Sequence, residues 1–569
     1  MSGKILEEEG KMVITESQEG AGNQKIPEYQ AKPEKQNGDR DQIIQEKDDI
    51  KEDDLKKDIK DEIKKDMKKE IKEAPVPAWR RGKQEVITQN FPIFMGVALT
   101  FGILYTFCMY KNPSGITYPI MVGGIYGVLA WMLRRLSVEW KRGSCFLIVT
   151  AVLLGIAVCR TADPLLILLI KTAEFLLVVI FVIHQFYEDR EWSIGKYLSS
   201  MAVYLCCVIA AVVYPFFQGN EFFKKVNLKK YRTASRVLMG LAAALPILLV
   251  AVFLLGRADV VFGSMVVHWM ETVLNVWTIL IMVSMTAFGA FGVYCLICGA
   301  CMDQISREEK TMRTHEPVTA ITCMSAVALL YLFFSGIQVI YLFLGKGSLP
   351  EGVTYSSYAR QGFFQLLFVA VMNLVMVLMN LKFFKRSRFL NGVLTVICGC
   401  TYVMIASAAY RMALYVGEYH LTYLRVLVLW FLLLLACMMA GVVILIYRNQ
   451  FPLFGWCLVM VSVFFVGFSY MRPDRVIADY NAAHVGEWSD SDFTYMTQAL
   501  SADAVPAVLE ALEDNAVLGR FYSGGRTEFL TEYYRWVISK NYQVGAADFR
   551  TWNLSFEEAK QSFRNGGME

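Results

Sequence analysis

From residue 91 to residue 470 the chain is a succession of apolar runs, each about as long as a bilayer is thick, joined by short polar links. About 20 apolar residues cross the hydrocarbon of a membrane, and inside lipid every backbone polar group must be paired within its own segment. Runs this long read as helices. The candidates are 91–110, 115–133, 144–159, 164–187, 200–217, 237–255, 276–300, 317–345, 361–381, 389–414, 423–447 and 451–470. The expected fold is therefore all-α: a polytopic transmembrane bundle of about 11–12 helices. A hydrophobic share of 55% and a mean hydropathy of +0.39 are too high for a soluble chain of 569 residues. Three regions follow: a charged tail over 1–88, the membrane domain over 89–470 and a polar helical region over 471–569.

Lys and Arg in short links orient such a bundle, because cytoplasmic links carry the excess. Arg80, Arg81 and Lys83 precede the first run, and Arg134, Arg135, Lys141 and Arg142 follow the second. Lys224, Lys225, Lys229, Lys230, Arg232 and Arg236 precede the sixth, and Lys382, Lys385, Arg386 and Arg388 follow the ninth. From the sixth run onward the clusters agree, and they put 471–569 outside the cell. Five runs lie between the first and third clusters, an odd number where an even one is needed. One of the third to fifth runs must not cross, and 144–159 and 200–217 are the suspects.

The tail holds no Phe or Cys and cannot bury enough apolar surface to offset chain ordering, so it is expected to be largely disordered and cytoplasmic. Within it, residues 54–75 carry Leu55, Ile59, Ile63, Met67 and Ile71 at every fourth position. That spacing drifts around a helix of 3.6 residues per turn, which suits a solvated charged helix better than a coiled-coil seam. No signal peptide is visible, so the first apolar run should remain as an anchor. The net charge of +4 is a small remainder of opposed features, and nothing in it suggests nucleic acid. The expected partners are the bilayer and a protein engaged through the tail or the C-terminal region. The 13 cysteines sit in or beside the apolar runs, where they read as small packing residues rather than a disulfide framework. The run Cys295, Cys298, Cys301 has ligand-like spacing but no nearby fourth ligand, so neither a metal nor a cofactor is expected.

Several stretches carry a resemblance. GITYPI at 115, GLAAALPILLVAVFLLGRADVVF at 240, YLFFSGIQVIYLF at 331, TYSSYARQGFFQLLFVAVMNL at 354, YRMALYVGEYHLTYLRVLVLW at 410, RPDRVIADYNAAHV and LSADAVP follow one another in order. Together they resemble uncharacterised multi-pass bacterial membrane proteins grouped as domain of unknown function 4173, with 4153 as a relative. The likeness covers about residues 91 to 510. It implies a location in the bacterial plasma membrane and no reaction. The charged N-terminal tail lies outside the pattern, and Lys171 stands where the fourth span usually has an asparagine.

Buried charges in a membrane are costly, usually paired, and mark sites by default. Arg360 stands near the mouth of the ninth run beside Tyr355, Tyr358 and Gln361. It reads either as a snorkelling interfacial arginine or as an anion site facing the bundle. Arg411, Tyr415, Glu418 and Tyr419 share a helix face, with His420 and Arg425 one turn on. Arg411 and Glu418 make either a structural ion pair or part of a site for an anionic substrate or lipid headgroup, converging with Arg360 on one pocket. Lys171 and Glu174, three residues apart, read as a self-neutralising pair or an ion relay. Gln338, Asn373 and Asn380 read as interhelical hydrogen bonds.

No GxxxxGK[ST], HExxH, GxSxG or kinase catalytic motif occurs, so no catalytic residue is named. Three function classes stay open. The leading one is a non-enzymatic sensor, scaffold or envelope component. The others are a secondary transporter of a small or anionic solute and a membrane enzyme acting on a lipid.

Overall fold

The computed structural model describes residues 82–225, 276–306, 313–340, 355–448, 450–539 and 548–567, with isolated positions between 244 and 265. The expected helix at 54–75 and the expected run at 237–255 lie outside the described residues. Within them the chain forms 19 α-helices and no strand; a single isolated bridge joins His315 to Phe384. Among the described residues nine helical stretches are long and apolar enough to cross a membrane.

The charged N-terminal region ends in a short helix, α1 (Lys83–Gln89). It is ordered because Gln84 and Ile87 are buried and Lys83 lies over the Phe186 ring. Then come α2 (Phe91–Met109), α3 (Tyr118–Arg135), α4 (Ser144–Val158), α5 (Pro164–Phe186), α6 (Ile194–Ala210), α7 (Tyr214–Lys225) and α8 (Val276–Ala300). The second half holds α9 (Pro317–Gln338), α10 (Tyr355–Phe383), α11 (Arg388–Tyr419), α12 (Tyr423–Tyr447) and α13 (Leu453–Met471). Proline stands in the first turn of α2, α3, α5 and α9, where its missing N–H has no partner to lose.

Two apolar cores form: α1–α8 with the C-terminal helices and part of α12 and α13 in one, α9–α13 in the other. The tightest crossing joins α2 and α8 at Gly102 and Gly289. A side chain on Gly102 would lie 2.3 Å from the Thr286 carbonyl oxygen, and one on Gly289 would lie 3.1 Å from the Gly102 Cα. Small residues that let backbones approach are the usual glue between membrane helices. Gly102→Ala should force the pair apart at a cost of about 1–3 kcal/mol, read as a lowered melting temperature of the detergent-solubilised protein.

Contacts between links distinguish the bundle's two ends. At one end, Lys141 donates to the Tyr187 carbonyl at 2.6 Å, Lys385 pairs with Glu316, and Arg386 donates to the Leu445 and Ile446 carbonyls at 3.0 and 2.9 Å. This basic end gathers Arg134, Arg135, Arg142 and Lys382 as well. The links 110–117, 159–163 and 420–422 lie at the other end, beneath the C-terminal helices.

The fifth apolar run behaves differently from the rest. Residues 194–222 are long and apolar enough to cross, yet the helix breaks at a tight turn over Ala211–Val213, just before Pro215. Proline removes a backbone donor and clashes with the preceding turn, so a break belongs there. Both pieces touch the basic end. Lys196 donates to the Ser306 carbonyl, Tyr197 stacks on Phe454, and Gly299 meets Val208. Beyond the break, Gln218 accepts from Tyr294 and Phe222 packs on Phe91. The segment therefore enters and leaves at one end, which removes the odd crossing that the charge clusters forbid.

Residues after α13 continue as α14 (Pro473–Ala482), α15 (Asp490–Thr494), α16 (Val505–Ala511), α17 (Asn515–Phe521), α18 (Arg526–Ser539) and α19 (Leu554–Asn565). They form a helical cap with its own aromatic centre of Phe493, Phe521, Phe529, Tyr533 and Phe563.

Candidate functional site at the capped end

The residues singled out in the sequence fall into separate places. Arg360 lies in the first turns of α10, and its side chain is outside what the structure describes. Arg411 is buried in α11, where its Nη2 donates to Gln338 Oε1 at 3.1 Å; Ser407 donates to the same oxygen at 2.6 Å. Glu418 is exposed two turns further on. The Arg425 guanidinium sits 4.3 Å over the Tyr415 ring and donates to the carbonyls of Tyr419 and His420. That tie closes the sharp link between α11 and α12, where His420 has φ +60°. Tyr415, Tyr419, His420 and Arg425 are thus gathered by one turn, while Arg411 reaches toward α9.

Lys171 and Glu174 are joined through a third residue. The Tyr118 hydroxyl donates to Glu174 Oε2, and Lys171 Nζ stands 5.2 Å from the Tyr118 ring centre. Glu174 is buried among α3, α4 and α5, close to Gly155. Asn373 bridges Tyr331 and Thr401 at 2.9 Å each, an interhelical bond of the expected kind.

The densest polar cluster lies elsewhere, where the cap meets the bundle. Arg472 sits between α13 and α14 at φ +53°, a conformation that turns the chain sharply from membrane helix to cap. Its Nε and Nη2 both donate to Asp503 Oδ1, at 3.0 and 2.7 Å, and its Nη1 reaches Glu558 at 2.7 Å. Asp503 is 0% exposed. Its other oxygen accepts from the Thr161 hydroxyl at 2.5 Å and the Ala162 N–H at 3.3 Å, both on the link between α4 and α5. Charge-assisted bonds of this geometry are the strong kind.

Three asparagines complete the fastening. Asn553 Nδ2 lies within bonding distance of the carbonyls of Ser114, Val158 and Thr161, at 3.0, 3.2 and 3.0 Å, while its Oδ1 caps α19 through the Ser555 N–H. Asn112 donates to the Arg550 carbonyl at 2.8 Å. Backbone bonds from Ile116 to Trp552 and from Leu554 to Cys159 run alongside. On the other side, Asn481 holds both backbone groups of Leu421, at 2.8 and 2.9 Å, and the Tyr495 hydroxyl accepts from the Tyr423 N–H. Asn553→Ala removes a helix cap worth about 1 kcal/mol and leaves buried carbonyls unpaired at about 1–3 kcal/mol more. It should loosen α19 first, seen as faster proteolysis after residue 540 with the bundle intact.

Beside the Arg472–Asp503 pair lie two further carboxylates. Asp163 caps α5 through the Leu165 N–H at 2.9 Å, and its Oδ2 is buried without a hydrogen bond. Asp474, 4% exposed, accepts from the Ser501 N–H at 2.8 Å. Burial, then the neighbouring negative charge, raises both above the usual carboxylate range, and Asp474 is pushed up to about 7. In the sequence, Ser501 and Asp503 stand where a helix N-cap would, ahead of apolar residues at helical spacing. All three acids stand next to proline or alanine in the sequence, in Thr161–Pro164, Arg472–Asp474 and Ser501–Val505. Among the described residues no group of three or more His, Cys, Asp or Glu is placed to hold a metal ion.

A family profile matches residues 147–511, from the first turn of α4 to the end of α16, under the description domain of unknown function (DUF4153). The matched stretch takes in Asp163, Arg472, Asp474 and Asp503. No curated protein and no solved structure matches the chain. The family shown is the one the motifs name as the relative of the 4173 group; likeness to 4173 itself rests on the motifs alone. With well over half of its length matched, the chain belongs to the family of proteins that carry the domain of unknown function 4153.

Proposed function

We propose that the protein is a non-enzymatic scaffold or sensor of the bacterial plasma membrane, with the basic end and N-terminal tail in the cytoplasm and the cap outside. The observation that carries this reading is the fastening of the cap: three links of the bundle are tied to it by buried ionic and amide bonds. A rigidly docked cap on a membrane bundle, in a chain that also carries a charged N-terminal sequence, suits a protein that passes information or holds partners across a membrane. Charge segregation supports the orientation, since Lys and Arg collect in the links at the basic end.

The test is affinity purification from the native membrane, comparing the full chain with one lacking residues 1–79. A partner that is retained by the full chain and lost on truncation is the expected result. An unchanged partner set, together with solute uptake by reconstituted vesicles, would overturn the reading in favour of a secondary transporter. Buried Glu174, held among three helices, is the observation that favours that alternative.

A further inference from the structure

We infer that the junction between bundle and cap is a proton-operated clasp, in which Asp163 of the bundle and Asp474 of the cap share a buried site whose protonation sets how firmly the cap is seated. This deepens the sensor reading and rests on it for its biological meaning. The geometry is that of an interface cluster. Asp163 comes from the link before α5, Asp474 from the first turn of α14, and Asp503 from the turn before α16. All three are at most 4% exposed. Arg472, the cation among them, is engaged by Asp503 and Glu558. Its companion Arg475 is spent on Glu558 and Asp479. Negative charge is therefore in excess where the two parts meet.

The other groups facing the pair do not offset it. The Tyr423 hydroxyl, at the start of α12, faces Asp163 and brings no positive charge to it, and both that hydroxyl and Asp163 Oδ2 are buried. Tyr495 faces Asp474 and Asp163 from the cap and is itself influenced by Arg425. A carboxylate left bare in such a site is costly, and a proton on one of the two aspartates removes most of the repulsion.

The sign follows from linkage. An acid whose pKa is higher in the docked state binds its proton more tightly when docked. Docking is then strongest below the free aspartate value of 3.8 and weakens as pH rises toward about 7, above which nothing more is lost. An extracytoplasmic cap would be held tightly in acid and released toward neutral pH.

Hydrogen exchange on the full chain in nanodiscs tests this, with rates corrected for the intrinsic pH dependence. Peptides covering 159–165 and 498–508, which contain the carboxylate-bound amides of Ala162 and Ser501, should lose about tenfold protection or more between pH 5 and pH 8. Asp474→Asn keeps an acceptor for Ser501 and should abolish the loss. Asp163→Asn, which keeps the helix cap, serves as the second variant should the first fold poorly. Equal protection at both pH values, a pH response that survives both substitutions, or a change that spreads equally through α2 and α8 would overturn the clasp. Such a failure leaves the proposed orientation and partner binding standing, because those are read from fusions and purification rather than from exchange.

Discussion

Arg472→Ala is expected to unseat the cap. Asp503 would remain as a fully buried carboxylate, keeping only the Thr161 hydroxyl and one backbone N–H. Removing one partner of a buried ion pair typically costs about 3–5 kcal/mol, because the other charge is left uncompensated. The effect should be large for a second reason: Arg472 also holds Glu558, so α14, α16 and α19 lose a common anchor. Limited proteolysis in detergent should then cleave within 473–567 while the fragment ending near residue 471 stays intact. Arg472→Lys should recover little, since one ammonium cannot reproduce the paired donors on Asp503 together with the third on Glu558. A double change, Arg472→Met with Asp503→Leu, should recover much of the loss, because matched apolar replacement of a buried pair is often tolerated.

Gly115→Ala should have an effect of similar size by a purely steric route. Gly115 lies in the link between α2 and α3, directly under the chain that leads into α19. A Cβ there would stand 2.0 Å from the Arg550 carbonyl oxygen and 2.7 Å from the Thr551 Cα, and 2.4 Å from Asn112 Oδ1. Two of the three obstacles are backbone, so no side-chain rotation relieves them. The cap segment 550–554 must lift, and the bonds from Asn112 to Arg550, from Ile116 to Trp552 and from Asn553 to Ser114 lengthen together. Overpacking of this kind costs about 1–3 kcal/mol or more, and the lost bonds add to it. Quenching of Trp552 fluorescence by a water-soluble quencher should rise in the variant while melting of the bundle changes little. Gly392→Ala, at a position with nothing within 4 Å, is the matched control and should be silent.

How legible this was in the sequence depends on which forces were local. The apolar runs, and so the all-α membrane fold, could be read directly, because lipid forces backbone pairing inside each segment. Even the flaw in the crossing count was visible as a conflict among Lys and Arg clusters. That conflict left both 144–159 and 200–217 as suspects, and the contacts of Tyr197, Val208 and Phe222 put both halves of the broken run at the basic end. The spacing of Arg411, Tyr415 and Glu418 put them on one helix face, yet burial differs along it: Arg411 is buried against α9 and Glu418, two turns on, is exposed. The cap junction was least legible. Asp163 and Asp503 are 340 residues apart, close only because the α4–α5 link and the turn before α16 fold onto the same end. A single acid beside a proline gives no hint of so distant a partner.

The account stands most directly on the claim that the cap and the basic end lie on opposite sides of the membrane, with residues 194–225 returning to the basic end. Fluorescent and phosphatase fusions after residue 235 and after residue 569 measure this in living cells. The account predicts fluorescence without phosphatase activity at 235, and phosphatase activity without fluorescence at 569. The same reporter active at both positions would contradict it: phosphatase activity at both would mean that the broken helix pair crosses, and fluorescence at both would put the cap on the side of the basic end.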